Sequence, residues 1–417
     1  YVEHKTPEDH IYLQSAAEHF GVHVSRPGNG ICHAVQVSRL GAPGKVSMGG
    51  DSHTPHGGSI GMLCIGVGGM DVATAMTGVP MRLKMPRVIK VNLTGALKPG
   101  VNAKEVILEM LRRVTIKGGL GNVYEYAGPG AATLEVPQRA TITNMGAELG
   151  ATTSIFPADE QVRKFMKSQK REDEYRELLA DEDAEYDEVI DLDLSSLQPL
   201  VACPHQPDNV KPLSEVEKLP VQQVFIGSCT NASYSDIARA ACILKGHKVH
   251  KDIDCTVAPG SRQVLAQLIK DGVLADLVES GCRILECACG PCIGVGQVPP
   301  HNGISVRTSN RNFPGRCGSN DAYVYLASPE TAAATAVTGH ITDPRDLMDV
   351  SVLAKIQEPE AYIIDDSSLI APEETADRHA VEVIKGPNIS ELPMRGPVRE
   401  TIDAGIVLKQ GDNITTD

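Results

Sequence analysis

Three cysteines carry the most pointed chemistry in this chain: Cys229 in Gly227-Ser228-Cys229-Thr230-Asn231, and Cys289 and Cys292 in Cys289-Gly290-Pro291-Cys292 sixty residues later. Each group follows a run that reads as a buried strand, Val224-Phe225-Ile226 in one case and Ile284-Leu285-Glu286-Cys287 in the other. Three thiolates at strand ends are one short of the four that close a tetrahedral zinc or iron–sulfur site. A centre with one position open can take a substrate, so the pattern points to catalysis. Spacing alone leaves other readings in place. A Cys-x-x-Cys pair also serves as a redox disulfide, as half a zinc site (here with Cys287 as a further ligand), or as two core thiols. No thioredoxin-like unit surrounds this pair, which counts against the redox reading.

Acid–base candidates stand nearer the N-terminus. Asp51-Ser52-His53 occupies a Gly-flanked loop, and His33 follows the turn Pro27-Gly28-Asn29-Gly30. A carboxylate beside a histidine orients the imidazole and raises its pKa, as general acid–base work requires. A histidine on its own is more often structural. Asn144 and Glu148 stand four apart and share one face if their segment is helical. A helix cap and an exposed glutamate is the ordinary alternative. Arg311 and Arg316 flank Asn312-Phe313-Pro314-Gly315, and arginine forks match carboxylates in a bidentate way. Set opposite an iron–sulfur site, two arginines suggest a substrate with several carboxylates; taken singly, each is more often a surface ion-pair partner.

The bulk numbers bound the possibilities. At 417 residues a chain of two to three domains is expected, with 41% hydrophobic and 22% charged residues as in ordinary globular proteins. The net charge of −14, with no basic block, argues against generic nucleic-acid binding. Eleven cysteines, five of them between 255 and 292, fit a reducing compartment better than a secreted disulfide framework. The longest apolar stretch, Ile60 to Val79, is broken by Asp71 and holds five glycines, so it does not span a membrane. Residue 1 begins mid-pattern, as though a segment had been removed before it, and the sequence stops just as a new domain would open.

The elements that must position these residues follow from pattern. Thr6-Pro7-Glu8-Asp9 looks like a capping box, predicting a helix to Phe20. Val88–Leu93 alternates as a strand, and Asn102 caps an amphipathic helix through Arg113. The charged stretch 158–194 reads as solvated helix and loop. From Val221 the pattern becomes strand, loop, helix: Val224–Ile226 then a helix from Ser233, Cys255–Val257 then a helix from Ser261. Ile284–Cys287 leads into the 290–296 loop, Ile304–Arg307 into the 308–316 loop, and a helix begins at Ser328. Alternation of this kind predicts a parallel α/β sheet. Loops after parallel strands gather on one edge, where ligands bind, and they contain Cys229, Cys289, Cys292, Asn310 and Arg311.

Taken together, these segments resemble the aconitase family of iron–sulfur hydro-lyases over essentially the whole chain. The matching stretches are 26–33, Asp51-Ser52-His53-Thr54-Pro55, 144–157, 227–231, Cys289-Gly290-Pro291-Cys292-Ile293-Gly294 and Thr308-Ser309-Asn310-Arg311-Asn312-Phe313. The resemblance implies three related α/β/α domains with parallel-rich sheets around a central iron–sulfur site. Their bounds are 1–87, 88–200 and 201–350, followed by a linker over 351–386 and the start of a swivel domain over 387–417. It implies a 4Fe–4S cluster on Cys229, Cys289 and Cys292, its fourth iron open and prone to oxidative loss. Glu3-His4 stands where the family has an Asp-His pair that protonates the leaving hydroxyl.

By the same resemblance, His33, Asp51 and His53 line the site, and Asp51 and Ser52 form part of the substrate pocket. Asn144 and Glu148 lie near the cluster and the exchanging hydroxyl, Asn310 lies by the cluster, and Arg311 and Arg316 bind substrate carboxylate. The implied reaction is that of aconitate hydratase: citrate to cis-aconitate to isocitrate, in the tricarboxylic acid cycle of a cytoplasm or mitochondrial matrix. The family's substrate-binding glutamine and its swivel domain with the serine base have no counterpart here. The chain is therefore expected to be a truncated core, or a large subunit awaiting a small one, with slow turnover or none by itself. A 3-isopropylmalate dehydratase or homoaconitase large subunit is the alternative, disfavoured by the Cys-Gly-Pro-Cys form and the linker-like tail. A cluster-free RNA-binding relative is disfavoured by the acidic balance. A zinc-stabilised structural module is the fourth reading.

Overall fold

The computed structural model describes residues 5–412 apart from 375, 376, 392, 394, 395 and 398. The chain divides into a large unit, Ser25–Ile370, and a small one formed by residues 1–24 and 371–417.

Two parallel-rich sheets organise the large unit, in keeping with the α/β class expected from sequence. The first has four parallel strands in the order Thr153–Ile155, Asn122–Ala127, Arg87–Thr94, Glu188–Asp193. Alternation in Arg87–Thr94 turns Ile89, Val91 and Leu93 inward, where they pack with Ile107, Met110 and Leu111 of helix Ala103–Val114. That helix starts where the sequence predicts. Asn102 accepts from Lys104 N at 2.9 Å, and Glu105 returns the bond to Asn102 N at 2.8 Å, a reciprocal cap that satisfies two of the four free N–H groups.

The strand Glu188–Asp193 corrects the expectation of solvated helix and loop over 158–194. Leu192 is buried and pairs in register with Leu93, while Asp191 and Asp193 face out. An edge strand with one wet face carries too many charges to read as a strand from composition.

The second sheet has seven strands in the order Arg283–Ile284, Asp254–Val257, Gln223–Ile226, Ile304–Arg307, Tyr323–Leu326, Leu200–Ala202, Val210–Pro212. The first five are parallel and the last two add antiparallel. Serines begin the helices Tyr234–Leu244, Arg262–Lys270 and Pro329–Thr338. Ser233, Ser261 and Ser328 accept from the N–H three residues on at 3.1, 3.2 and 3.4 Å. The strand expected over Ile284–Cys287 is only Arg283–Ile284, and beyond it the chain runs to 303 with one short 3-10 turn, Gly290–Ile293. Three prolines and four glycines between 290 and 303 leave little that could extend a strand or start a helix.

Strand order fixes where a ligand can sit. From Gln223–Ile226 the chain steps outward twice, then returns to lay Ile304–Arg307 against the other side of the starting strand. The loops after these two neighbours depart in opposite directions and open a crevice at their carboxyl ends. Residues 351–370 are largely without regular structure yet are pinned to the large unit. Glu358 accepts from Ser235 N at 3.0 Å, and Asp366 takes the Arg39 fork at 2.7 and 2.6 Å.

In the small unit, helix Lys5–Phe20 is lined by the later segment: Ile384 N donates to Ser15 Oγ at 2.9 Å, and Asn388 Nδ2 to Asp9 Oδ1 at 2.7 Å. Among the described residues no helix is long and apolar enough to cross a membrane.

Candidate active site

The crevice collects most of the residues singled out from sequence. Cys229 lies three residues beyond the end of the strand Gln223–Ile226, and Asn310 three beyond the end of Ile304–Arg307. Thr308 stitches the two strand ends together: its hydroxyl accepts from Gly227 N and donates to Gly227 O, each at 2.8 Å. That stitch sets Asn310 Nδ2 at 3.4 Å from Cys229 Sγ and at 3.2 Å from Asn144 Oδ1. Thr230 Oγ1 donates to the same Asn144 oxygen at 3.2 Å.

Helix Val136–Met145 supplies Asn144, and the 3-10 turn Gly146–Leu149 that continues it supplies Glu148. The Asp51 loop reaches both because the buried 3-10 segment Thr54–Ile60 packs directly on strand Thr153–Ile155. A Cβ at Gly58 would sit 1.9 Å from Ser154 O, so only glycine permits this approach.

Two imidazole–carboxylate pairs result. His33 Nε2 donates to Asp51 Oδ1 at 2.9 Å, and His53 Nε2 to Glu148 Oε1 at 2.9 Å; Asp51 Oδ1 also accepts His53 N at 2.8 Å. Burial opposes charge on both histidines, yet their hydrogen-bonded partners outweigh it. Asp51 and Cys32 lift His33 to about 10, and Asp51 and Glu148 lift His53 to about 9. Both are protonated at neutral pH. Asp51, bonded to His33 and His53, is held well below the usual carboxylate range.

Arg311 closes the outer side: Nε contacts Glu148 at 2.9 and 3.2 Å, and Nη2 donates to Ser52 Oγ at 2.9 Å. An unbroken polar chain therefore runs from the exposed Ser52 through Arg311 and Glu148 to the buried His53.

The thiols respond to one another. Hydrogen bonding from Cys289, and then the charges of His53 and His33, draw Cys229 well below the ordinary thiol range against the effect of burial. Cys289 is pushed up, first by Cys229 and then by burial. Burial and the Cys229 charge push Cys292 up to about 11. Three such thiols become thiolates together only when a cation accompanies them, which a metal centre provides.

Among the described residues no three His, Cys, Asp or Glu side chains are grouped to hold a single metal ion. Cys287, the further ligand of the zinc reading, answers to burial and Glu286 rather than to the other thiols. A cluster asks for one thiol per iron, and this all-sulfur donor set suits it. Arg316 adds an orphaned group: its Nε is buried with no hydrogen-bond partner, and its charge acts on Cys292.

The expected site residues thus form two hydrogen-bonded sets, Ser52, Arg311, Glu148, His53, Asp51 and His33 in one and Asn144, Asn310 and Cys229 in the other, with the His53 and His33 charges acting on Cys229, and Arg316 lies toward Cys292. Glu3 and His4 lie outside the described residues. Sequence reasoning missed His56. Its Nδ1 lies 3.3 Å from Asn144 Nδ2 and its ring stacks on His33 at 5.9 Å; burial and the His33 and His53 charges push it down to about 3. A neutral imidazole can accept the amide hydrogen and so fixes which way Asn144 points. The signal was available in Pro55-His56-Gly57-Gly58, a third histidine in the same glycine-rich loop.

Comparison with known proteins agrees with this geometry. The model of the aconitase family (aconitate hydratase) matches residues 3–220 and 214–339. The chain is 42% identical over 356 residues to the 3-isopropylmalate dehydratase large subunit 2 of Archaeoglobus fulgidus, covering 84% of this chain and 86% of that one. It is 40% identical over 355 residues to the large subunit 1 of the Thermotoga maritima enzyme, covering 83% and 85%. Against the mitochondrial aconitate hydratase of Aspergillus fumigatus it is 41% identical over 357 residues, covering 80% of this chain and 45% of that relative. With that match over both halves of the large unit, and with its strand-end thiols and carboxylate–imidazole pairs in one crevice, the chain belongs to the aconitase family of hydro-lyases.

Proposed function

We propose that this chain is the large subunit of a hydro-lyase acting on 3-isopropylmalate, which it dehydrates and rehydrates together with a small subunit. The observation that carries the hydro-lyase part is the polar chain Ser52–Arg311–Glu148–His53 leading from the rim to a buried imidazole whose charge acts on Cys229. The substrate part is supported by the relatives named 3-isopropylmalate dehydratase large subunit, at 40–42% identity. This departs from the preference for citrate drawn from the Cys-Gly-Pro-Cys form. Citrate stays as the second reading, because the aconitate hydratase of A. fumigatus is 41% identical.

Cys229, Cys289 and Cys292 would hold a 4Fe–4S cluster, which when bound supplies a Lewis acid for a hydroxyl and a carboxylate. The chain's own residues do the rest. Arg311 offers a guanidinium already oriented by Glu148 and Ser52, and a substrate carboxylate can take its free edge. Arg316, with Nε unpaired, is a second cation for a dicarboxylate.

His53 and His33 each hold a proton at Nε2 against a carboxylate, so a departing hydroxyl meets an acid rather than a neutral ring. Asp51 and Glu148 keep those rings oriented. Asn310 and Asn144 fix the Cys229 sulfur from one side. The base that takes the carbon-bound proton is assigned to the small subunit.

Anaerobic reconstitution with iron and sulfide, followed by rates of alkene formation from 3-isopropylmalate and from citrate, with and without a small subunit, tests the reading. The expected result is a preference for 3-isopropylmalate of about 100-fold or more in kcat/KM, since an apolar branch replaces a charged one. Preference for citrate would replace this reading with the second.

A further inference from the structure

Lys104 is an unusual residue to bury. It stands second in helix Ala103–Val114, at the positive end of the helix dipole, where a cation is disfavoured. Its side chain is 0% exposed, and burial pushes the ammonium down to about 7. The ammonium donates to two successive backbone carbonyls, Thr308 O at 3.0 Å and Ser309 O at 2.7 Å. The next two residues are Asn310, aimed at Cys229 Sγ, and Arg311, aimed at Glu148 and Ser52. A helix of the four-stranded sheet thereby holds the strand-end loop of the seven-stranded sheet.

We propose that Lys104 is a positioning residue for the hydro-lyase site: its ammonium clamps the 308 and 309 carbonyls and so sets the direction of the Asn310 amide and the Arg311 fork. The inference rests on the hydro-lyase reading above. The chemistry favours lysine here because two adjacent carbonyls converge on one point, and an ammonium offers three donors without a plane to satisfy. An apolar replacement would leave two buried carbonyls unpaired exactly where the loop turns toward the sulfur. Of the charges acting on it, Glu105 and Asp236 come first, with Cys229 and Cys292 after them.

The test compares the reconstituted wild type with Lys104→Met, Lys104→Gln, Asn310→Ala and the Lys104→Met/Asn310→Ala double variant. Iron and sulfide content, the electron paramagnetic resonance spectrum of the reduced cluster, its titration with 3-isopropylmalate and with citrate, and thermal unfolding are measured on each. Lys104→Met is expected to retain its cluster while showing the spectral change of Asn310→Ala and binding the hydroxy acid about 10- to 100-fold more weakly. The double variant should show no further spectral change, because both act through one loop.

A lowered unfolding temperature with unchanged spectrum and affinity, or additive spectral changes, would overturn the proposal. If Lys104→Met does not fold, Lys104→Gln carries the test with the same expectations. A wild type that fails to load, or ignores both hydroxy acids, sinks the reading of the site and this inference with it. A responsive wild type with an indifferent Lys104 variant sinks the inference alone.

Discussion

Two loops on one edge of the seven-stranded sheet deliver thiols to the same place by opposite means. The loop 227–231 is buried throughout, and Thr308 bonds both the N–H and the carbonyl of Gly227. Gly227 has φ +150°, and a Cβ there would meet Ala258 O at 2.6 Å; Ser228 follows in the left-handed region at φ 82°. The turn around 289–295 is held mainly by its own backbone, Cys292 N to Cys289 O at 3.2 Å and Val295 N to Gly290 O at 2.8 Å. Its backbone is tied from outside by Arg307 Nη1, which donates to Pro291 O at 2.6 Å, and its thiols Cys289 and Cys292 meet Cys229 and Ser228. Cys289 is exposed, and Ile293 is 52% exposed. The first thiol is placed by the fold; the other two are placed by a local turn that a bound cluster can complete.

The largest expected effects ignore this difference, and the smaller ones expose it. Cys229→Ser and Cys289→Ser should each retain less than about a tenth of the wild-type cluster iron after desalting, because a missing thiolate removes a ligand wherever it comes from. Equal retention in either variant would remove that cysteine from the ligand set. Alanine at the two loop glycines should then separate the loops. Gly227→Ala is expected to cost about 2–4 kcal/mol of unfolding free energy through backbone strain and a carbonyl clash. Gly290→Ala, whose nearest neighbour would be Val295 O at 3.3 Å, should cost less than about 1 kcal/mol. Similar costs in denaturant titrations would erase the contrast.

Thr308→Val tests the stitch itself. Losing the hydroxyl leaves Gly227 N and O unpaired in a buried place, for about 1–3 kcal/mol, with a weaker cluster as a consequence. A variant as stable as the wild type would show that the loop holds without it.

A pH effect is smaller and concerns the metal-free chain. His33 and His53 are raised to about 10 and about 9 from an ordinary 6.5, so their stabilisation is complete below pH 6.5 and lost as pH rises through those values. Both histidines feel the charge of Cys229, so Cys229→Ser should flatten the fall between pH 7 and 10 more than Cys292→Ser does. An identical profile in the two variants would mean the histidines do not sense the buried thiolate.

Legibility in the sequence followed the same division. The strands Gln223–Ile226 and Ile304–Arg307, the serine caps and the Asp51, Cys229 and Asn310 loops were readable because each is a local signal: a cap residue, a glycine turn, a β-branched run. The strand Glu188–Asp193 was not, since only its pairing with Arg87–Thr94 reveals which side of an acidic run is dry. His56 and Lys104 were passed over for a related reason. Their roles depend on Asn144 and on the Thr308 and Ser309 carbonyls, between 88 and 205 residues away in the chain. Glu148 was found by its spacing from Asn144, although it lies in the 3-10 turn after the helix and meets His53 and Arg311 rather than sharing a regular face with Asn144.

Electron paramagnetic resonance of the anaerobically reconstituted and then chemically reduced chain, recorded with iron and sulfide analysis before and after adding 3-isopropylmalate, reaches the centre of this account. The prediction is about four irons and four sulfides per chain and a spectrum that shifts when the hydroxy acid is added. Zinc in place of iron, or a fully loaded cluster whose spectrum ignores both 3-isopropylmalate and citrate, would contradict it.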